Sequence, residues 1–343
     1  MPKGTIALEE AVLEPGGIPR VARDAALFAP GADMAKHPLT AKLQDIHGER
    51  LRQMDAEGVE YMLLSLTSPG PQGEADPAAA ATIASETNTW LAGEARKNPA
   101  RFGALASISM HDPGAAAAEL RRAVAELGCK GAILNDYQTV AAEGGGEGKV
   151  YYDGDEFRVF WKEVEALEVP VYMHPRYRTA PDLDPETGGE YSTRRHLLGA
   201  AVQFHLDLSF HLYALLSCGM LDMFPGVQLV AGHLGEGIPF NLWRASHWYN
   251  QPVKKATRPS KYDYEHYFKH NVSITTSGFY STSGLKYCIN EIGAARCMYA
   301  IDYPYDTIQE AQNWWKEIDL PAEQKEAVAR SNAIKLFKLP LAL

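Results

Sequence analysis

The stretch Val227-Gln228-Leu229-Val230-Ala231-Gly232-His233 runs from a short apolar segment directly into a histidine. The apolar part is bounded by Pro225-Gly226 and by Gly232, and it is too short for a typical helix, which favours a buried β-strand. Strands that are apolar on both faces are typical of parallel sheets covered by helices. The histidine would then lie at the carboxyl end of a buried parallel strand.

Seven further apolar runs repeat this arrangement, and each is followed by a segment with helical character. They are Thr5–Leu8 before Glu9, Tyr61–Leu66 before Thr67, Gly103–Ile108 before Ser109, Lys130–Leu134 before Asn135, Val169–Met173 before His174, Asn271–Ile274 before Thr275, and Arg296–Ile301 before Asp302. Eight strand–helix units predict a (β/α)8 barrel, a fold that takes about 250 residues and grows by insertion. The 343 residues therefore predict one α/β domain, 1–343, with helical insertions.

Several segments between the runs carry recognisable signals. Leu43–Gly58 has helical spacing and ends on a glycine, Pro77–Lys97 is rich in alanine, and Asp112–Leu127 begins with Asp-Pro, so all three are predicted crossover helices. The glycine-rich Glu143–Lys149 lacks the spacing of a phosphate-binding loop and is predicted to be a flexible connection. Asn332–Leu339 is amphipathic and is predicted to pack on the barrel.

The composition excludes several classes of protein. With 46% hydrophobic and 22% charged residues the chain can bury a large core. A net charge of −10 argues against a nucleic-acid partner, which needs a basic face. No apolar stretch reaches the roughly 18 residues of a membrane span, and Met1–Thr5 lacks a signal-peptide core, so we expect a cytoplasmic protein. The four cysteines are far apart and have no CxxC spacing, as expected of reduced, structural thiols.

The segment after His174 is longer than one strand–helix unit requires. Pro175–Ser192 is rich in proline, glycine and charge, and we expect it to pass over the mouth of the barrel. Arg194–Phe224 is apolar on more than one side, and Asn241–Tyr267 is rich in tryptophan and tyrosine. One barrel surface cannot bury both, so these segments predict a homodimer or homotetramer.

A cluster of basic residues falls within the same insertion: Arg176, Arg178, Arg194 and Arg195. Two interpretations stay open. The cluster is either a solvated loop and helix start, or a group that steers anions toward the site.

Polar residues at the ends of the predicted strands would converge at one mouth, because the active site of this fold lies where its strands end. Glu9, His174 and Asp302 follow three of the strands. Each has a simpler explanation: Glu9 could be an exposed loop residue, and His174 a hydrogen-bonded core histidine. Together, two carboxylates and an imidazole at one rim leave open coordination positions and predict a catalytic divalent metal ion. This mixed oxygen and nitrogen set does not discriminate among zinc, magnesium and manganese.

His233 has a carboxylate close along the chain. Glu236 follows three residues later and is near enough to orient the imidazole. The pair therefore predicts an acid–base dyad, which proton transfer in catalysis requires.

Several motifs in combination resemble those of the hydroxybenzoate decarboxylases of the amidohydrolase superfamily. They are Leu8-Glu9-Glu10-Ala11, Ser107–Pro113, Met173-His174-Pro175, Gly232–Glu236, Trp243-Arg244, Thr275–Gly278 and Ile301–Tyr305. The resemblance runs from about residue 4 to residue 339, and it is strongest to 2,3-dihydroxybenzoate and salicylate decarboxylases, with γ-resorcylate decarboxylase a little further off.

The resemblance implies roles for particular residues. Glu9, His174 and Asp302 would be metal ligands, and His233 with Glu236 a catalytic dyad. Arg244 and Asn135 would line the substrate pocket, with Phe28 as its aromatic wall. One departure concerns the first strand, where hydrolytic relatives usually carry His-x-His. Here the sequence is Glu9-Glu10-Ala11, so a metal ligand that some decarboxylases have is absent at Ala11.

The activity implied is metal-dependent, non-oxidative decarboxylation of an ortho-hydroxybenzoate to a phenol and CO2, without an organic cofactor. A metal-dependent hydrolase of a lactone or amide is the alternative, since one fold supports several reactions. A barrel that binds ligands without catalysis is a weaker alternative, because the whole set of polar strand ends is present.

Overall fold

The computed structural model describes residues 4–28, 31–189 and 191–343, except for the side chain of Phe28. Its strands are β1 (Thr5–Val12), β2 (Val59–Leu66), β3 (Phe102–Ala104), β4 (Ala106–Ser107), β5 (Ala132–Asn135), β6 (Gln138–Ala141), β7 (Glu147–Val150), β8 (Val171–His174), β9 (Leu229–Ala231), β10 (Val272–Thr275) and β11 (Cys297–Met298). Each of the eight predicted strand runs contains one of these strands, or two in the case of β3 and β4.

The helices are α1 (Ile18–Phe28), α2 (Pro38–Gln44), α3 (Glu49–Glu57), α4 (Pro77–Lys97), α5 (Pro113–Ala125), α6 (Arg158–Leu167), α7 (Gln203–Ser217), α8 (Met220–Met223), α9 (His233–Glu236), α10 (Ile238–Tyr249), α11 (Pro252–Thr257), α12 (Tyr264–Asn271), α13 (Thr282–Ile292), α14 (Ile308–Glu317), α15 (Ala322–Glu326) and α16 (Asn332–Phe337). The three predicted crossover helices correspond to α3, α4 and α5. Gly58 ends α3 in the left-handed conformation with φ 86°, and the Asp112 side chain accepts hydrogen bonds from the first turn of α5.

The strands form a closed parallel barrel. β1, β2 and β3 pair in that order, and β4, β5, β8, β9, β10 and β11 pair in a second run. β3 and β4 are one strand interrupted at Leu105, whose N–H donates to the carbonyl of Leu64. A parallel bridge between Leu8 and Ala300 joins β1 to the segment after β11 and closes the circle. The predicted (β/α)8 barrel is therefore confirmed.

The inside of the barrel is filled with side chains rather than hollow. Its apolar layer includes Ile6 from β1, Tyr61 from β2 and Val230 from β9. At the amino end of the strands, Ile334 and Phe337 of α16 join the same cluster and close the barrel floor. The predicted packing of the C-terminal stretch on the barrel is confirmed.

The glycine-rich stretch differs from its prediction. Residues 138–150 form an antiparallel hairpin of β6 and β7, with Gln138 opposite Val150. The turn contains Gly144, Gly145 and Gly146, all with φ near 90°, which glycine adopts without steric cost. The connection is therefore ordered as a tight turn, and the prediction of a flexible connection is wrong.

The insertion after β8 passes over the mouth and then becomes α7, consistent with the expected excursion. In the part of the chain that the structure describes, no helix combines the length and apolar character needed to cross a membrane. The four cysteines form no disulfide, as expected of structural thiols.

Candidate active site

Four of the predicted site residues share a strained backbone conformation. Glu9, His233, Glu236 and Asp302 have φ of 70°, 50°, 56° and 74°. Such left-handed conformations at non-glycine residues cost of order 1–3 kcal/mol each and concentrate at functional sites. At Glu9 the pairing of β1 with β2 also shifts register between Ala7 and Glu10. This irregularity changes the direction of the Glu9 side chain, as β-bulges beside active sites do.

Glu10 holds the backbone on both sides of Asp302. Its carboxylate oxygens accept hydrogen bonds from the N–H groups of Ile301 and Tyr303, each at 3.0 Å. Burial of the Glu10 side chain raises its pKa to about 8, although those two hydrogen bonds oppose the shift. No role for Glu10 was predicted from the sequence, and in the structure its two hydrogen bonds hold the backbone around Asp302 at the rim.

Glu9 lies at the base of the site among polar partners. Its Oε2 accepts a hydrogen bond from the Tyr172 hydroxyl, which also lies 2.6 Å from Oγ1 of Thr275. Its Oε1 lies 3.0 Å from Nε2 of His174, yet accepts no hydrogen bond of ordinary geometry. Burial would raise the pKa of Glu9, but the nearby imidazoles of His174 and His233 outweigh it, so the pKa is lowered.

His174 is oriented through its other ring nitrogen. Nδ1 lies 2.6 Å from the carbonyl oxygen of Pro175, which accepts its hydrogen and leaves Nε2 directed at Glu9. Metal-ligating histidines usually have such a backbone partner, because it fixes the tautomer and the ring orientation. Burial opposes the charged form of His174, but the Glu9 carboxylate outweighs burial and raises the pKa.

Asp302 and His233 meet above Gly278. A Cβ atom on Gly278 would lie 3.1 Å from Oδ2 of Asp302 and 3.5 Å from Cδ2 of His233, and Gly278 has φ 56°. A larger residue there would crowd both side chains. Burial, followed by the negative charge of Glu9, raises the pKa of Asp302 well above its usual range. The metal-free site therefore favours the protonated acid at Asp302.

The predicted dyad is present. Nδ1 of His233 lies 2.6 Å from Oε1 of Glu236, whose side chain is buried. Burial opposes the imidazolium, but the carboxylates of Glu236, Glu9 and Asp302 outweigh it and raise the pKa of His233 to about 10. The imidazole of His233 is therefore held by a buried carboxylate that favours its charged form.

These groups line a cavity of about 500 Å3 at the carboxyl end of the strands. Its aromatic walls come from Tyr177, Phe204, Phe279 and Tyr305, and its polar floor includes His174, His233 and Asp302. Flat aromatic walls around one polar floor suit a small aromatic acid. The walls come from three separate segments that follow β8, β10 and β11, and sequence patterns of single segments did not reveal them.

Two of the three predicted pocket residues have other positions. Asn135 is buried and donates to the carbonyl of Pro69 and to Oε1 of Gln72, so it supports the mouth without lining this cavity. Arg244 lies exposed on α10 and lines a separate groove between α7 and α10. Within one chain it does not reach the cavity, because the axis of α10 carries it along the outer surface. The side chain of Phe28 lies outside the described part of the structure.

A divalent ion fits this donor set. In residues 4–28, 31–189 and 191–343, no three His, Cys, Asp or Glu side chains are already arranged as a metal site. However, Oε1 of Glu9 is buried without a hydrogen bond, and it faces the nitrogen of His174 that lacks the backbone partner. An imidazole nitrogen and a carboxylate oxygen are donor types that divalent ions accept, so this pair fits a shared cation.

Comparison with known families places the chain in a class. The family model for amidohydrolases matches residues 32–339. The chain belongs to this amidohydrolase family, as the barrel and the polar mouth indicate.

Several proteins that are similar to this chain along most of its length are decarboxylases of aromatic acids. The chain is 38% identical to a γ-resorcylate decarboxylase of Rhizobium sp. (strain MTP-10005), covering 98% of this chain and 99% of that protein. A crystal structure of 2,6-dihydroxybenzoate decarboxylase complexed with 2,6-dihydroxybenzoate is 36% identical, with a TM-score of 0.87 over 98% of this chain and 99% of that one. The dihydroxybenzoic acid decarboxylase of Polaromonas sp. JS666, solved with manganese and 2-nitroresorcinol, is 34% identical, with a TM-score of 0.88 over 99% and 98%.

These relatives are carboxy-lyases of aromatic acids, in agreement with the resemblance found in the sequence. The first is a γ-resorcylate decarboxylase and the second a 2,6-dihydroxybenzoate decarboxylase, whereas the sequence motifs had favoured 2,3-dihydroxybenzoate and salicylate decarboxylases.

Proposed function

We propose that the protein is a metal-dependent decarboxylase of ortho-hydroxybenzoates, with salicylate-like or dihydroxylated benzoates as substrates. One observation carries the proposal: Oε1 of Glu9 lies 3.0 Å from Nε2 of His174, and His174 lines an aromatic cavity together with Asp302 and His233. The solved relatives with manganese and with 2,6-dihydroxybenzoate support the same chemistry.

Glu9, His174 and Asp302 would hold one divalent ion per chain, zinc, magnesium or manganese, and this ion would polarise the substrate carboxylate and the ortho oxygen. The walls of Phe204 and Phe279 would hold the faces of the ring and orient it over His174 and Asp302. Such orientation turns the reaction into an effectively unimolecular step.

Asp302 would deliver a proton to the ring carbon that bears the carboxylate. The C–C bond then breaks, its electron pair restores the aromatic ring, and CO2 leaves. Ligation favours the carboxylate form of Asp302 while proton delivery needs the acid, so the proton must be supplied near the site. The His233–Glu236 dyad, with its raised His233 pKa, is suited to supply that proton and to take its replacement from solvent, because the delivered proton leaves in the product as the new ring C–H.

A substrate panel tests this proposal. Protein loaded separately with manganese, magnesium or zinc is incubated with 2-hydroxybenzoate, 2,3-dihydroxybenzoate, 2,6-dihydroxybenzoate and 4-hydroxybenzoate, and the phenols are followed by chromatography. We expect turnover of one or more ortho isomers and none of the para isomer. Turnover of the para isomer alone, or of none while a lactone or amide is hydrolysed, would replace the decarboxylase with another reaction.

We also propose a homo-oligomer, supported by an exposed aromatic face. Phe210 on α7 and Phe240, Trp243 and Trp248 on α10 are 79%, 78%, 69% and 52% exposed. Exposed apolar groups clustered in this way mark interaction surfaces. Light scattering should give a dimer or tetramer, and the double variant Phe210→Glu, Trp243→Glu should be smaller. A wild-type monomer at micromolar concentration would refute the assembly.

A further inference from the structure

A second cavity, of about 370 Å3, lies beside the active-site cavity. Ser68, Tyr177 and Tyr305 line both cavities and form the partition between them. The far wall of the second cavity is largely apolar and comes from residues of α1 and from residues 32–39, with Leu27 and Met34 among them. The mechanism proposed above gives this space no role.

Arg176 brings a buried positive charge to this cavity. The residue is only 5% exposed, and its Nη1 donates to the carbonyls of Gln72 at 2.7 Å and Tyr137 at 2.9 Å. Its guanidinium also lies over the Tyr137 ring, 4.2 Å from the centroid. Among the described residues, no carboxylate lies within 4.0 Å of it, and its Nε is buried without a hydrogen-bond partner.

The other arginines at this cavity differ, because each has a carboxylate partner. Arg23 pairs with Glu74 at 3.2 Å, and Arg178 pairs with Asp207 at 2.8 Å. Arg176 is therefore the cation at this cavity that forms no ion pair within 4.0 Å among the described residues, and Asp24 of the same cavity interacts with its charge only from a greater distance. A buried charge is costly unless it is paired, so the arrangement calls for an anion from outside the chain.

We infer that the second cavity binds a carboxylate, carried as a second acidic group by an aromatic substrate whose ring lies in the active-site cavity. The planar fork of Arg176 matches a carboxylate, and the apolar wall opposite it suits the carbon spacer that would cross the partition. This assignment of substrate class rests on the decarboxylase proposed above. A free oxyanion such as bicarbonate has the same chemistry and is the competing source.

Asp24 is a second residue at which a substitution can change the charge of this cavity. It lines the same cavity, its Oδ2 has no hydrogen-bond partner, and its Oδ1 lies 3.4 Å from Nε of Arg23. A negative group there opposes a bound carboxylate, so Asp24→Asn and Arg176→Gln should act in opposite directions.

The experiment compares two probes in the metal-loaded protein: a 2-hydroxybenzoate with a carboxymethyl group at ring position 4 or 5, and the methyl ester of that side chain. Their Kd values are measured by calorimetry and their kcat/KM values by product formation. Wild type should prefer the acid by about tenfold, the scale of a hydrogen bond between charged groups. Arg176→Gln should abolish the preference and Asp24→Asn should increase it.

An equal ratio of acid to ester in wild type and both variants would overturn the inference. If Arg176→Gln does not fold, the change in ratio for Asp24→Asn decides the question. Bicarbonate binding that depends on Arg176, without any preference for the acid probe, would assign the cavity to a free oxyanion and overturn the substrate class. Binding preference without decarboxylation would instead contradict the proposed function while leaving the carboxylate site in place.

Discussion

The two ends of the barrel differ in what the same strands bury: apolar side chains at the amino end and charged side chains at the carboxyl end. At the amino end, Ile6 and Tyr61 pack against Ile334 and Phe337 of the last helix in an apolar layer. At the carboxyl end, the strands finish in Glu9, His174 and Asp302, where charges are buried and two of the three residues have positive φ. One end stabilises the fold, and the other concentrates strain and unfavourable charge.

This difference predicts whether a substitution should mainly affect activity or mainly affect stability. Apolar packing contributes to stability without touching the substrate, whereas the strained carboxyl end is tolerated because the rest of the barrel holds it. A change at the mouth should therefore reduce activity more than stability. A change at the floor should do the reverse.

The largest effect is expected at the metal site. Glu9→Gln keeps the volume but removes the carboxylate that faces His174, so metal content and turnover should both be lost; His174→Ala should act in the same way. Elemental analysis of the purified variants and the decarboxylation assay measure the two properties. Glu323→Gln, on the exposed surface of α15, is the matched control. Full metal occupancy in both mouth variants would remove these residues from the metal site.

A smaller loss is expected when the proton carrier is removed. His233→Ala should stay folded and keep its metal but lose turnover by at least about 10²-fold, the usual scale of general acid–base catalysis. Asp302→Asn should lose at least as much while keeping its backbone, since asparagine tolerates the left-handed conformation. Circular dichroism, metal content and kcat separate folding from chemistry. Near-parental kcat in either variant would contradict the role proposed for that residue.

The affinity for the metal should rise with pH. The pKa values of His174 and Asp302 are both raised in the metal-free site, so a binding ion must displace protons from them at neutral pH. Each displaced proton weakens apparent binding by up to about tenfold per pH unit on the acid side. Calorimetric titrations at pH 6, 7 and 8 in two buffers give both the affinity and the number of protons released. A pH-independent affinity without proton release would mean that the ligands are already deprotonated.

The sequence predicted this site where a functional residue directly follows an apolar strand. His174, His233 and Asp302 each end a run that is apolar for four or more residues, and in a barrel such positions meet at one rim. The structure brings them together with Glu9 and Glu236 around one cavity. Their roles as metal ligands and as a dyad stay predictions until they are measured.

The features of the site that could not be predicted from the sequence depend on contacts between distant segments. Glu10 holds Asp302 only because the barrel closes its first strand beside its last. Arg244 looked like a pocket residue from its motif, but the direction of α10 places it on the outer surface. Arg176 belonged to a basic cluster with two possible meanings, and burial without a counterion distinguishes it from Arg178, which is paired.

Glu10→Gln should have a moderate effect on catalysis. The carboxamide keeps one acceptor, but it turns an NH2 group toward a backbone N–H and so loses one of the bonds that hold Asp302. We expect kcat to fall by about tenfold, since removing one partner of a buried hydrogen bond costs about 1–3 kcal/mol. The variant should still bind metal through Glu9 and His174. Steady-state kinetics and metal analysis provide the test, and unchanged kcat would show that Glu10 does not position Asp302.

The smallest effect on catalysis is expected at the barrel floor. Ile334 is 6% exposed and packs in the apolar layer at the amino end, far along the strands from the carboxylates of the mouth. Ile334→Ala should lower the free energy of unfolding by about 2–5 kcal/mol, because it leaves a cavity in packed surroundings. Lys335→Ala, exposed at the next position of the same helix, is the control and should stay near wild type. Metal content and kcat per folded molecule should not change in either variant. If Ile334→Ala lowered kcat as strongly as it lowered stability, packing at the amino end would affect catalysis at the carboxyl end. Stability and activity would then not be separated between the two ends of the barrel.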